Sequence, residues 1–114
     1  MKKILITTGG SGGHVIPSLS IYDLLKDDFY VQIATDLRGS KYIDSVNYNY
    51  SIIDVPNLSS NLLLFPYNLI KFCISILKSY RHLKLKNFDQ IISTGGYMSI
   101  PLCIASSLLN IKIY

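Results

Sequence analysis

The stretch KKILITTGGSGGHVIPSLSIYDLL, residues 2–25, carries the pattern that decides the fold. Its apolar run at residues 4–6 does not alternate with polar residues, which is typical of a parallel strand covered on both faces. Four glycines follow within residues 9–13, and glycine lets a backbone approach a ligand closely. Apolar residues then recur at helical spacing, and Pro17 is tolerated in a first turn, so we predict a helix that begins close to His14.

The rest of the chain repeats this order of elements. We predict further strands in YVQIATD (30–36), NYSIIDV (49–55), DQIISTGG (89–96) and IKIY (111–114), and helices over residues 66–86 and 99–110. Alternating strands and helices predict an α/β fold with a Rossmann-like parallel sheet flanked by helices. Both glycine-rich loops then lie at the carboxyl ends of strands, where such sheets bind ligands. The last predicted strand lacks a closing helix, so we expect residues 1–114 to be an incomplete domain.

The composition favours one ordered domain with an anionic partner. Among 114 residues, 11 are Lys or Arg and seven are acidic, which gives a formal charge of +4. The two cysteines, Cys73 and Cys103, lie in apolar stretches without metal-ligand spacing, so we expect buried reduced thiols and no bound metal. The apolar run near the amino terminus is shorter than a secretion signal needs, so we expect no export.

The glycine loop fits neither of the common nucleotide motifs. A dinucleotide fingerprint would need glycine where Val15 stands, and a phosphate-binding P-loop would need lysine where His14 stands. What remains is a cradle of backbone amides beside a helix N-terminus, suited to a diphosphate or another anion, to which residues 94–99 add a second set. Tight turns without a ligand are the alternative. His14 is either a general base or a loop histidine that bonds a backbone carbonyl.

Three segments carry a resemblance to a known family. GGSGGHVIPSLSIYDLL (9–25), TDLRGSKY (35–42) and STGGYMSIP (93–101) resemble the amino-terminal domain of the MurG family. These proteins are the undecaprenyl-diphospho-muramoylpentapeptide N-acetylglucosaminyltransferases of bacterial peptidoglycan synthesis. Ser11 stands where the family usually has threonine, and Ile100 where a small residue often precedes the proline.

The resemblance implies an inverting GT-B glycosyltransferase that transfers GlcNAc from UDP-GlcNAc to lipid I, without a metal or another cofactor. It implies His14 as the general base and Ser11, Gly12 and Gly13 beside the donor sugar. It places the acceptor diphosphate against Gly9, Gly10, Gly95, Gly96, Tyr97 and Ser99. It also implies a UDP-binding domain beyond residue 114, an inactive chain without that domain, and a peripheral location on the cytoplasmic face of the bacterial inner membrane.

A basic stretch without acidic residues extends from residue 55 to residue 88. Its apolar run of 16 residues, 62–77, is shorter than the roughly 20 that a spanning helix needs. Polar residues recur at helical spacing at Lys71, Ser75, Lys78 and His82, which predicts that the opposite, apolar face is buried. That predicted face contains Leu69, Phe72, Cys73, Ile76 and Tyr80. Contact with an anionic membrane surface is expected from Leu62, Leu63, Leu64, Phe65, Lys71, Lys78 and Arg81.

Two other functions remain open from the sequence. The first is a membrane-recruiting subunit of a two-chain glycosyltransferase. The second is a non-enzymatic phosphate- or nucleotide-binding module. Nucleic acid is not an expected partner, because neither stacking platforms nor a recognised binding motif is evident.

Overall fold

The computed structural model describes residues 2–9, 12–44, 46–53, 65–95 and 99–114. Within these ranges the helices and strands alternate as the sequence predicts, apart from one short additional helix. In chain order the elements are β1 (Lys3–Thr7), α1 (Gly12–Leu25), β2 (Tyr30–Thr35), α2 (Leu37–Ser40), β3 (Tyr50–Ile52), α3 (Phe65–Lys86), β4 (Gln90–Ser93), α4 (Ser99–Leu108) and β5 (Lys112–Ile113).

The described strands form one parallel sheet in the order β3-β2-β1-β4-β5. The central strand β1 pairs with β2 on one side and with β4 on the other, with Thr7 opposite Ala34 and Ser93. This order confirms the predicted Rossmann-like fold. It also brings the carboxyl ends of β1 and β4 side by side, although long segments separate them in the sequence.

Apolar side chains cover both faces of the sheet. The face towards α1 carries Ile4, Ile6, Val31 and Ile33, which pack with Val15. The opposite face, towards α3 and α4, is a second buried cluster made of Leu5, Ala34, Ile53, Leu83, Phe88, Ile91, Leu102 and Ala105. The unalternating apolar run of β1 therefore reflects burial on both sides, as predicted.

Helix α1 begins at Gly12, two residues earlier than predicted, so Pro17 lies in its second turn rather than its first. Proline has no N–H to bond the carbonyl four residues earlier, which here belongs to Gly13. Helix α3 ends at Lys86, and the next residue, Asn87, takes a φ of 54°. Asparagine tolerates this left-handed conformation and is a common residue just after a helix.

Helix α3 buries a different face from the one that hydropathy predicts. Ser75 and Ser79 are buried, at 2% and 0% exposure, whereas Leu69 and Cys73 are exposed. The predicted burial is therefore wrong for Leu69 and Cys73 and holds in part for three half-buried side chains, Phe72, Ile76 and Tyr80. The expectation of a buried thiol also fails at Cys73, while Cys103 is half-buried and its pKa is raised by that burial.

The serines can enter the core because their hydroxyls are satisfied within the helix. Ser75 Oγ donates to the carbonyl of Lys71 at 3.0 Å, and Ser79 Oγ donates to that of Ser75 at 2.8 Å. A hydroxyl bonded in this way carries little desolvation penalty. Within the described ranges, no helix has the length and apolar content needed to cross a bilayer.

Candidate functional site

The candidate site lies at the carboxyl ends of β1 and β4. The two strand ends are joined beyond the regular ladder, because the amide of Thr94 donates to the carbonyl of Thr7 at 3.1 Å. Helix α1 follows β1 and helix α4 follows β4, so both helix N-termini face this edge. The first turn of neither helix contains an acidic residue. The partial positive charge of the two helix ends is therefore available to an anion.

His14 is exposed at this edge and bonded to Thr94 in two ways. Its Nδ1 lies 3.3 Å from the carbonyl oxygen of Thr94, and the Thr94 hydroxyl donates to the carbonyl of His14 at 3.0 Å. A carbonyl only accepts, so this contact assigns the proton of the neutral ring to Nδ1. The lone pair of Nε2 is then left to accept a proton. Both roles considered for this histidine are compatible, because the ring nitrogen that bonds the backbone is not the one that would act as base.

Gly95 forms a wall beside the His14 ring. Its φ is +100°, a conformation that residues with a side chain rarely adopt. A Cβ at this position would lie 3.2 Å from Nδ1 and 3.4 Å from Cε1 of His14. Glycine is thus required here both by the backbone turn and by the imidazole that packs against it.

Ser99 holds the second glycine-rich loop in place. It is the first residue of α4 and is 4% exposed. Its hydroxyl donates to the carbonyl of Gly95 at 3.0 Å and accepts from Thr7 Oγ1 at 3.2 Å. The hydrogen of this hydroxyl is therefore engaged inside the protein. A contact between Ser99 and the diphosphate stays a prediction, in which the backbone amide of Ser99 is the donor.

A short turn supports the first glycine-rich loop from the side of β2. Asp36 caps the one-turn helix α2 by accepting from the amide of Gly39 at 2.7 Å. A Cβ on Gly39 would overlap Thr35 Oγ1 and lie 3.2 Å from the Cα of Gly9. From the sequence, residues 35–42 contribute to the family resemblance, and no role is predicted for this turn. The local signal was present, since aspartate followed three residues later by glycine is compatible with an N-capped turn.

The predicted site residues divide into two groups. Gly9, Gly13, His14, Gly95 and Ser99 lie at the sheet edge described above, and Gly12 begins α1. Gly10, Ser11, Gly96 and Tyr97 lie outside the described residues, and their predicted contacts stay predictions. The same holds for Leu62, Leu63 and Leu64 and for the side chain of Phe65. Among the described residues, no three acidic, His or Cys side chains form a metal-binding group.

The chain is also similar to known proteins. Residues 4–114 match the model of the glycosyltransferase family 28 N-terminal domain. The chain is 48% identical over 112 residues to a protein of Pelagibacter ubique and 37% identical over 115 residues to one of Rickettsia typhi. Both relatives carry the name UDP-N-acetylglucosamine–N-acetylmuramyl-(pentapeptide) pyrophosphoryl-undecaprenol N-acetylglucosamine transferase.

These alignments cover nearly all of this chain but only part of each relative. They include 98% and 99% of the chain and 32% and 29% of the two relatives, so the chain spans about a third of their length. The crystal structure of Acinetobacter baumannii MurG superposes with a TM-score of 0.80 at 22% identity, covering 99% of this chain and 34% of that one. At this identity the structural likeness establishes the fold.

Proposed function

Because the chain belongs to the glycosyltransferase family 28 N-terminal domain family, we propose that it is the acceptor-side domain of an N-acetylglucosaminyltransferase. The enzyme transfers GlcNAc from UDP-GlcNAc to the C4 hydroxyl of the muramoyl sugar of lipid I and forms lipid II. The UDP-binding half belongs to a second domain outside these 114 residues. The names of the relatives support this substrate pair.

The proposal rests on the tautomer of the His14 ring that the fold favours. Its Nδ1–H donates to the Thr94 carbonyl, so Nε2 accepts the proton of the acceptor C4 hydroxyl. The deprotonated oxygen attacks the anomeric carbon of GlcNAc as the bond from that carbon to the UDP oxygen breaks. UDP leaves with the bonding electron pair, and the configuration at the anomeric carbon inverts. Ser11, Gly12 and Gly13 border the donor sugar in this arrangement.

The acceptor diphosphate binds between the two glycine-rich loops. The family resemblance assigns its contacts to Gly9, Gly10, Gly95, Gly96, Tyr97 and Ser99. Two helix N-termini without acidic residues in their first turns support this placement, because backbone amides and aligned peptide dipoles stabilise a bound anion. The diphosphate therefore anchors the lipid-linked sugar, and the sugar hydroxyl reaches His14.

The exposed face of α3 contacts the membrane that contains the acceptor, at the cytoplasmic side of the inner membrane. Ile70, Ile74 and Leu77 are 61%, 44% and 65% exposed on the outer side of this helix. The Lys71 ammonium lies 4.7 Å above the Tyr67 ring on the same side. Apolar side chains interspersed with cations suit the boundary between anionic headgroups and acyl chains. We name this the outer face of α3, composed of Tyr67, Ile70, Lys71, Ile74, Leu77, Lys78 and Arg81.

Substitution of His14 tests the reaction in the full-length protein. We expect H14A to lower kcat for transfer from UDP-GlcNAc to lipid I by about 10² to 10⁴, the usual contribution of a general base. The matched control is S20A, an exposed position six residues further along α1, which should keep full activity. Circular dichroism confirms that both variants fold. A folded H14A with near-normal transfer would remove His14 as the base.

A binding measurement separates the transferase from a phosphate- or nucleotide-binding module. We expect the 114-residue chain to show weak or no affinity for UDP in calorimetry, because the proposed uridine site lies in the other domain. Tight UDP binding by this chain, together with absent transfer by the full-length protein, would favour the non-enzymatic module.

A further inference from the structure

Thr94 and His14 form a closed pair of hydrogen bonds between β4 and α1. The Thr94 hydroxyl donates to the backbone carbonyl of His14 at 3.0 Å, and the Thr94 carbonyl accepts from the His14 ring at 3.3 Å. One residue thus fixes both the backbone and the imidazole of another, across a sequence separation of 80 residues. Thr94 is not among the residues that the family resemblance implies for catalysis or binding.

The two bonds restrain different freedoms of His14. The hydroxyl bond holds the first turn of α1 against the end of β4 and so fixes the position of the His14 backbone, from which the ring extends. The carbonyl bond sets the ring orientation and places the proton on Nδ1. Gly95 lies on another side of the ring, where a Cβ would be 3.2 Å from Nδ1 and 3.4 Å from Cε1. The imidazole is therefore oriented by the second glycine-rich loop, although it belongs to the first.

We propose that Thr94 is a positioning residue for His14, which acts through its hydroxyl to hold the ring with Nε2 towards the acceptor sugar. This inference rests on the proposed function, in which Nε2 takes the proton of the C4 hydroxyl. Small displacements of a reacting group are costly, because proton transfer needs a donor and an acceptor within hydrogen-bond reach. The loop that binds the acceptor diphosphate thereby also aligns the base.

The test compares T94V and T94S in the full-length protein. Valine keeps the β-branched shape and loses the donor, whereas serine keeps the donor and loses only a methyl group. We expect T94V to lower kcat about fivefold, as for the loss of one neutral hydrogen bond, with KM for UDP-GlcNAc unchanged. We expect T94S to keep kcat within about twofold of wild type, because its hydroxyl can still donate to the His14 carbonyl. Equal kcat for T94V and wild type would overturn the proposal, as would a T94S as slow as T94V.

A spectroscopic arm keeps this test independent of the reaction. In ¹⁵N spectra of the neutral His14 ring, wild type and T94S should show the Nδ1–H tautomer. T94V keeps the backbone carbonyl that accepts from Nδ1 but loses the hydroxyl bond that holds His14 next to it, so this variant should show a larger share of the Nε2–H tautomer. A full-length wild type that transfers no GlcNAc would contradict the proposed function, while the tautomer ratios would still decide the positioning role. Identical ¹⁵N shifts in wild type and T94V would overturn it.

Discussion

His82 on α3 and Gln32 on β2 form a hydrogen bond of 2.8 Å, Nε2 to Oε1, on the sheet face that α3 covers. Gln32 is 5% exposed, and its amide also contacts the side chain of Asn49 at 3.5 Å. The His82 ring packs near Phe88, with 5.7 Å between ring centroids. The pKa of His82 is lowered, first by burial and then by the positive charge of Lys86.

We predict that His82 makes stability fall in mildly acidic solution. Its folded pKa lies below the unfolded value near 6.5, so below about pH 6.5 the unfolded chain binds a proton that the folded chain resists. The free energy of unfolding should then decrease as the pH falls, by at most about 1.4 kcal/mol per pH unit from this group, and the decrease should end below the folded pKa. Urea unfolding at pH 7 and at pH 5.5 measures this decrease in the free energy of unfolding.

The control for this prediction is H82Q, which keeps a side-chain amide beside Gln32 and does not titrate. All other titrating groups are common to both proteins. The difference between their slopes of unfolding free energy against pH therefore isolates the contribution of His82. Equal slopes in wild type and H82Q would contradict the assignment.

The sequence was sufficient for the sheet because the strand signals are local. The run at residues 4–6 and the segments before each glycine pair predicted β1 and β4, and the alternation of strands with helices predicted that the sheet is parallel. Helix α2 was missed, since four residues are too few to show a helical period. Part of the buried face of α3 was assigned wrongly, because Ser75 and His82 count as polar in a hydropathy pattern. Their partners, the Lys71 carbonyl and Gln32, are known only once the chain is folded.

The site was predictable in its loops and not in its contacts. Four glycines and a histidine after a strand are visible in the sequence, and so is the second glycine pair. Sequence distance hides the bond between Thr94 and His14, because only the pairing of β1 with β4 brings them together. The proximity of Gly39 to Gly9 was hidden in a similar way, because it depends on the pairing of β1 with β2.

Gly95→Ala should destabilise the protein and slow the reaction more than the loss of stability explains. An alanine at φ +100° costs about 1 to 3 kcal/mol in backbone strain. The added Cβ would also lie 3.2 Å from Nδ1 of His14 and displace the ring. We expect a lower urea midpoint together with a reduced kcat under conditions where the variant is fully folded. Normal kcat in the folded variant would show that the ring tolerates the shift.

Gly39→Ala tests the support under the first glycine-rich loop. Its Cβ would overlap Thr35 Oγ1, which is fully buried, so we expect a destabilisation of about 1 to 3 kcal/mol from overpacking. Thr35→Ala removes the overlapping atom. In a double-mutant cycle measured by urea unfolding, G39A should therefore cost less in the T35A background than in wild type. Additive effects of the two substitutions would mean that the cost arises elsewhere.

The outer face of α3 should bind anionic lipid vesicles. We predict that I74S/L77S weakens cosedimentation with phosphatidylglycerol vesicles, because both apolar side chains would otherwise enter the interface. The matched control is L24S, since Leu24 is 77% exposed on α1, on the opposite face of the sheet. Added salt should weaken binding of the wild type, because Lys71 and its neighbouring cations act through a screened attraction. Equal losses in L24S and I74S/L77S would mean that exposed leucines bind lipid regardless of position, and the proposed face would have no special role.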